Sequence, residues 1–367
     1  MTDLKPITKP LMKWYQKNKR EMPWRGSENP YFIWISEIML QQTQVETVRP
    51  YFERFINKFP TVTALAKADQ QTVLKMWEGL GYYSRARNLH QAAKLIDSDY
   101  NGKLPESFDK LLKIPGFGPY TSAAVASIAF HQSVPVIDGN VFRVFARLTE
   151  MSLEISKPQT RKHVFENLEK VIPKKSPGNF NQAIMELGAI ICKPKNPKCF
   201  ECPVKEYCSA FQNEKTGLYP VKKKAPERPH KQIAVGIIEK NGMVLIAKRR
   251  ENQMLGGLWE FPGGKVESGE SIEECLVREF KEEVDLNISV TRKLCEVDHA
   301  FTHFTITIHS YICSLKSGKA KPVSGSEIKW VLPEKLSEFP FPKANKVIIE
   351  KYLSTHLRTT FKPKLNK

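Results

Sequence analysis

LLKIPGFGPYTSAAVASIAFHQSVPVIDGNVFRV, residues 111–144, decides how the front half of this chain folds. It reads as a helix end, a Gly/Pro turn and a second helix. Gly116 and Gly118 let the backbone come close to a ligand, and the next helix offers free N–H groups and a positive dipole end to a phosphate. Taken alone, such a turn is equally a tight interhelical connection. About twenty residues on, Asp138 stands before Gly139, where a carboxylate caps the helix that opens there and stays ionised at its N-terminus.

The surroundings are helical too. From Trp14 to Phe211 apolar residues recur at three and four positions, as in Leu65, Val73, Leu74, Trp77 and Leu80. GLYPVKKKAPERPHK, residues 217–231, is rich in Pro and Lys and reads as an extended linker, able to lie along a phosphate backbone. Beyond it the period changes to two. QIAVGIIEKNGMVLIAKR is two strands around a hairpin at Asn241-Gly242. Ser271 to Glu274 fits a capping box, and Ile272, Leu276, Phe280 and Val284 form one apolar stripe on the following helix. The expected organisation is a mainly helical domain over 1–216, a linker over 217–230, an α+β domain over 231–356 and a basic tail over 357–367.

Composition narrows the partners. The 367 residues carry 57 Lys and Arg against 39 Asp and Glu, a formal charge of +18, which favours a polyanion and nucleic acid first. No apolar run reaches membrane-spanning length, and MTDLKPITKPLMKWYQKNKR lacks the apolar region of a secretory signal. A cytoplasmic, nucleoid-associated monomer is expected. Four of the seven cysteines crowd into residues 192–208, which suggests metal ligation in a reducing compartment rather than disulfides. Cys192, Cys199, Cys202 and Cys208 follow C-x6-C-x2-C-x5-C, with one close pair where structural zinc more often has two. Four thiolates in one short loop can close around a cubane cluster. Cys275, Cys295 and Cys313 read as small core residues.

In YFIWISEIMLQQTQVETV, residues 31–48, Glu37 lies inside an apolar stretch. A carboxylate there should have a raised pKa and serve as a proton donor near neutrality, unless it lies on the polar side of a buried helix. With Asp138 it would make a pair of carboxylates of the kind that acid-assisted cleavage uses, one to protonate a leaving group and one to stabilise a cation.

The cysteine spacing resembles the iron–sulfur loop of the endonuclease III and adenine glycosylase superfamily, and the hairpin with Asp138 resembles the helix-hairpin-helix signature of base-excision glycosylases. MPWR, SEIMLQQTQVETV, WEGLGYYSRARNLH, IDGN and the cysteine loop together resemble the MutY-type adenine DNA glycosylases across essentially the whole front half. That resemblance implies a [4Fe–4S] cluster on the four cysteines and, as partner, duplex DNA carrying adenine opposite 8-oxoguanine. It implies that Glu37 protonates adenine N7 and Asp138 stabilises the cationic sugar, assisted by Tyr120 and Asn140. Leu40 and Gln42 would contact the space left by the extruded base, and Tyr82 would wedge beside its partner. Arg20, Arg25 and Gln182 would belong to the pocket. Lyase-competent relatives carry lysine at the position of Tyr120, and a phenol cannot form an imine, so base removal without strand cleavage is expected.

GGKVESGESIEECLVREFKEEVDL, residues 263–286, resembles a Nudix box almost completely, with Asp285 where a glycine is usual. Glu279, Glu282 and Glu283 share one helix face and suit Mg2+ on a diphosphate. HAFTHFTI, residues 299–306, resembles the loop with which MutY-type enzymes read 8-oxoguanine, and Phe301, Thr302 and His303 stand at its reading positions. LWEFPGGKVE and FPFPKANKVI resemble MutT-type hydrolases of 8-oxo-dGTP. By that resemblance Asn345 contacts an oxidised purine and Glu327 is a further metal ligand. Two readings follow for the back half: a lesion reader only, or in addition a hydrolase of the free nucleotide. An endonuclease III-like lyase and a lesion-binding protein without catalysis are disfavoured by Tyr120 and by the pair Glu37 and Asp138 respectively.

Overall fold

The structure, a computed structural model, describes residues 3–223 and 227–360, with side chains to residue 355. The chain divides into two compact units, Met1–Lys67 with Asn88–Ala225, and Ala68–Arg87 with Pro226–Lys367.

The first unit is helical. Pro30–Leu40 is nearly all apolar and is buried along most of its length, from Tyr31 to Met39. Phe108–Leu112 and Pro119–Ile128 are the two arms of the expected hairpin. Between them Gly116 takes φ +86°, a left-handed conformation in which its absent Cβ would press on Asn88 at 3.0 Å. Gly118 is the extended N-cap of the second arm, Pro119 fills its first position, and a Cβ on Gly118 would meet open space. Gly139–Thr149 and Pro177–Ile190 cross closely, because a Cβ on Gly188 would lie 2.6 Å from that of Asn140. Phe142, Phe145, Phe180, Ile184 and Leu187 join this pair to Leu11 and Tyr15 in one core.

The second unit is built on a seven-stranded sheet. Its strands are β1 (His230–Lys240), β2 (Met243–Lys248), β3 (Trp259–Glu260), β4 (Gly263–Lys265), β5 (Asn287–Ala300), β6 (Thr305–Ser317) and β7 (Glu327–Val331). The order is β3-β2-β1-β6-β5, with β4 on β1 and β7 on β2; β1 and β6 run parallel. Asn241 and Gly242 take φ +54° and +73°, the turn that Asn-Gly predicts. Alternate residues of β1 and β2 face opposite ways. Val235, Ile237, Val244 and Ile246 face a core shared with Ile348 and Tyr352 of the helix Lys343–Thr360. Ala234, Ile238, Leu245 and Ala247 face Leu276, Phe280 and Val284 of the helix Ile272–Val284. Ser271 and Glu274 form the expected capping box, and Asp285 closes that helix in the left-handed region, φ +54°.

Two boundaries differ from the linear reading. The last helix runs to Thr360, four residues into the expected tail; residues 361–367 of that tail and 224–226 of the linker lie outside the described residues. The segment Ala68–Arg87 groups with the sheet unit. Its reason is polar: Gln71 Nε2 donates to the Gly257 carbonyl at 2.9 Å, and Gln71 Oε1 accepts from the Trp259 indole at 2.8 Å. Among the described residues no helix is long and apolar enough to cross a membrane.

Candidate active site

Glu37 is only 6% exposed on the helix Pro30–Leu40, and the Tyr120 hydroxyl donates to its Oε2 at 2.5 Å. Burial pushes its carboxyl up to about 7; the bond from Tyr120 and the more distant Arg25 oppose this, and Asp138 adds to it. Burial, with Glu37 and Asp138 nearby, holds the Tyr120 phenol well above its usual value, so it remains a neutral donor at all physiological pH. With that phenol on Oε2, Oε1 is the oxygen that can present a proton to a ligand. The sequence therefore places an acid near neutrality, and the fold supplies the partner that orients it.

Asp138 caps the helix Gly139–Thr149, as its position predicts. Its Oδ1 accepts the Val141 N–H at 2.7 Å and its Oδ2 accepts Asn140 Nδ2 at 2.8 Å. Burial raises its pKa, while those two bonds and the Arg143 guanidinium pull it back. Asn140 is itself held: its Oδ1 accepts from Arg143 Nη2 at 2.8 Å. Glu37 with Tyr120 and Asp138 with Asn140 thus form two hydrogen-bonded pairs, close enough for Asp138 to raise both Glu37 and Tyr120.

Arg143 and Arg147 connect the second pair to the cysteine loop, and both escaped the sequence reading. Arg143 Nε donates to the Cys192 carbonyl at 2.6 Å and its Nη2 to Gly188 O at 2.7 Å. Arg147 Nη1 donates to Cys192 Sγ at 3.3 Å and to Lys193 O at 2.8 Å. Two arginines four residues apart in an otherwise apolar helix, VFRVFARL, are the signal that could have revealed them.

Cys192, Cys199, Cys202 and Cys208 line one small cavity of about 30 Å3, together with Arg147, Ile191 and Phe211. Among the described residues no three donors gather as a single-ion site. Four thiols around a shared cavity, with a guanidinium against one of them, suit a group that takes one ligand on each of several irons and carries negative charge. Lys193, Lys195 and Lys198 are exposed on this loop, Lys198 beside Glu201 at 3.2 Å.

The expected pocket residues divide. Arg20 and Arg25 both bind Glu186, at 2.7 and 3.1 Å. Burial raises the Glu186 carboxyl, but the two guanidiniums outweigh it and hold the pKa down to about 2. Glu186 was missed, although a carboxylate inside apolar NQAIMELG is the same signal that marked Glu37. Gln182 is half-buried and its side chain makes no hydrogen bond among the described residues; Leu40 is half-buried and Gln42 exposed at φ +58°.

The remaining expected residues belong to the second unit. Tyr82, 46% exposed, takes φ +47°. Its hydroxyl shares a 2.7 Å hydrogen bond with that of Thr302. Phe301, Thr302 and His303 form the turn from β5 to β6, with the Phe301 ring 4.8 Å from Phe304 and 4.7 Å from His299.

The acidic helix does not present three free carboxylates. Arg278 Nη1 binds Glu279 at 3.0 Å and Glu282 at 3.1 Å, and its Nε binds Glu270 at 2.8 Å. Glu283 accepts the Gly263 N–H at 3.1 Å, and burial beside Glu260 lifts its carboxyl to about 7. Glu327 is paired with Lys329 at 3.0 Å, and Asn345 is buried.

Known proteins fit this division. A model of the HhH-GPD superfamily of base excision DNA repair proteins matches residues 35–174, and a NUDIX domain model matches residues 233–351. A thermostable thymine-DNA glycosylase structure is 29% identical at a TM-score of 0.53, covering 57% of this chain and 96% of its own. The adenine DNA glycosylase of Rattus norvegicus is 31% identical, over 99% of this chain and 80% of the relative. That of Buchnera aphidicola subsp. Schizaphis graminum is 32% identical, over 93% and 96%. The thymine enzyme shares one part of the chain, whereas the adenine enzymes run through both units. With an acid poised near neutrality and a helix-capping aspartate near enough to raise it, the chain belongs to the adenine DNA glycosylases, base-excision repair enzymes that hydrolyse the N-glycosyl bond of adenine in DNA.

Proposed function

We propose that this glycosylase acts as a monomer at the nucleoid on adenine paired with 8-oxoguanine or guanine, and that it hydrolyses without cleaving the strand. The observation that carries this is the buried pair: Glu37, at about 7, oriented by Tyr120, with Asp138 near enough to raise it further. With adenine extruded into this pocket, Glu37 Oε1 delivers a proton to N7. The C1′–N9 bond breaks and its electron pair leaves with the base. Asp138, held in place by Val141 and Asn140, faces the cationic sugar. Water adds at C1′, its proton returns to Glu37, and an apurinic site remains.

A [4Fe–4S] cluster on Cys192, Cys199, Cys202 and Cys208 would cross-link the loop and set its lysines toward phosphate. Arg147 and Arg143 transmit the position of that loop to Asn140. Phe301, Thr302 and His303 read the 8-oxoguanine, and Tyr82 wedges beside it.

Adenine release from A·8-oxoguanine, A·G and A·T duplexes tests this reading. The wild type releases adenine in the order A·8-oxoguanine, A·G, A·T, and borohydride traps no covalent adduct. Asp138→Asn binds the first duplex and releases almost nothing. Equal rates on all three duplexes, or an adduct, refute it. A second reading, hydrolysis of 8-oxo-dGTP, is motivated by Glu282, whose side chain stays 59% exposed on the box helix. It predicts Mg2+-dependent monophosphate formation that Glu282→Gln abolishes.

A further inference from the structure

The second unit contains a charged node used by neither chemistry. Glu78, next after the helix Gln70–Trp77, has a carboxylate side chain only 6% exposed. It binds Lys75 Nζ at 2.8 Å and Lys346 Nζ at 2.7 Å, and accepts the Phe341 backbone N–H at 3.0 Å. Lys75 also donates to the Phe339 carbonyl at 3.0 Å. A single carboxylate therefore ties the segment 75–78 to the segment 339–346.

The residues after Glu78 form a conformationally demanding turn. Gly79, Gly81 and Tyr82 all take positive φ, +103°, +71° and +47°. The glycines accept this freely, but a tyrosine in the left-handed region persists only where its surroundings hold it. The Trp77 indole donates to Gly81 O at 3.2 Å. Arg85 Nη2 donates to Leu80 O and Gly81 O, and its guanidinium lies over the Trp77 and Tyr82 rings. At one end of this turn the Tyr82 phenol meets Thr302. At its base stands Glu78.

We propose that Glu78 is a positioning residue for opposite-base specificity: its node with Lys75, Lys346 and the Phe341 N–H fixes the turn that presents Tyr82 at the lesion-reading loop. The inference rests on the reading of Tyr82 and Thr302 as the lesion-facing pair. It adds that this pair is set from the sheet unit through a carboxylate four residues before the tyrosine. The chemical step is untouched, since Glu78 belongs to the sheet unit, whereas Glu37 and Asp138 belong to the helical one.

The experiment uses the full-length, cluster-loaded protein with Glu78→Gln and, on the other side of the node, Lys346→Gln. Glutamine at 78 keeps an acceptor for Phe341 and removes the charge. Binding is measured to duplexes holding a non-cleavable adenine analogue opposite 8-oxoguanine or guanine, beside single-turnover release from A·G at saturating enzyme. Each variant should lose about five- to tenfold of the wild-type preference for 8-oxoguanine. The A·G rate should stay at the wild-type value, and the double variant should lose no more than either single one. Full preference in a folded Glu78→Gln overturns the inference; so does a fall in the A·G rate that parallels the loss of binding. If Glu78→Gln does not fold, Lys346→Gln, whose lysine is 43% exposed, decides by the same criteria. A wild type that shows no preference for 8-oxoguanine over guanine refutes the reading of Tyr82 and Thr302, a separable failure.

Discussion

Replacing Glu37 by glutamine should abolish base release and stabilise the protein. The carboxyl titrates near 7 in the fold and near 4.5 in the unfolded chain. At about 1.4 kcal/mol for each pH unit that separates the two, ionising it in place costs about 3 kcal/mol. A carboxyl raised on folding imposes no cost below pH 4.5. Its penalty grows between 4.5 and 7 and is complete above. Glutamine mimics the neutral acid, still accepts from Tyr120, and carries no such penalty. The variant and wild type should therefore melt together near pH 4.5 and separate as pH rises. At pH 8.5 the variant should be about 6–10 °C more stable. The same titration governs activity: kcat/KM of the wild type for base release should fall about tenfold per pH unit above 7, as the proton donor empties. Calorimetry of both proteins from pH 5 to 8.5, beside the pH–rate profile, tests the two together. Parallel stability curves would refute the assignment of a strained, buried acid at this position, and a flat rate from pH 6 to 9 would remove Glu37 as the donor.

Three further outcomes are expected. Gly188→Ala places a Cβ 2.6 Å from that of Asn140, which cannot give way without moving the Asp138 cap; it should destabilise by about 1–3 kcal/mol in denaturant unfolding and slow base release, with DNA binding little changed. Cys202→Ser should lower iron content and visible absorption of the purified protein and weaken duplex binding more at high salt than at low salt; unchanged iron content would exclude Cys202 as a ligand. Tyr82→Phe and Thr302→Ala each remove one end of the 2.7 Å hydroxyl pair, and in a double-mutant cycle on 8-oxoguanine preference the two should be coupled by about 1 kcal/mol, whereas additive losses would make the bond incidental.

Much of this molecule is legible because the decisive signals are local. Asp138 as an N-cap, the Ser271 and Glu274 box and the Asn241-Gly242 turn each depend on a few adjacent residues, and each appears in the structure as expected. Burial of Glu37 follows from its apolar neighbours, so the direction of its pKa follows too. Pairing across long stretches of chain could not be read. Glu186 reaches Arg20 over 166 residues, Arg143 reaches Cys192 over 49, and Glu78 reaches Phe341 over 263. Each leaves only a charged residue in an apolar context, a pattern that names a buried group and not its partner. The grouping of Ala68–Arg87 with the sheet unit is of the same kind. A linear boundary cannot express it.

The acidic helix shows why a complete motif and a working site are separate claims. Most of its glutamates already serve the fold. Glu279 lies against Gly264, where a Cβ would meet its carboxylate at 2.1 Å, and shares Arg278 with Glu270, which fastens the helix to the preceding loop. Glu283 caps the Gly263 N–H and accepts from Ser324. A fold that needs these contacts retains these residues whether or not a nucleotide is ever hydrolysed, so their presence in the sequence cannot separate a reader from a hydrolase. Glu282 differs. Its side chain is 59% exposed and, among the described residues, its one ion pair is with Arg278, which keeps two other carboxylates without it. Glutamine there should change stability by no more than about 0.5 kcal/mol. Substituting Glu279 or Glu283 would disturb the loop as well as any metal, and lost activity in those variants would be ambiguous. Glu282 is the position at which the chemistry can be removed while the architecture stays.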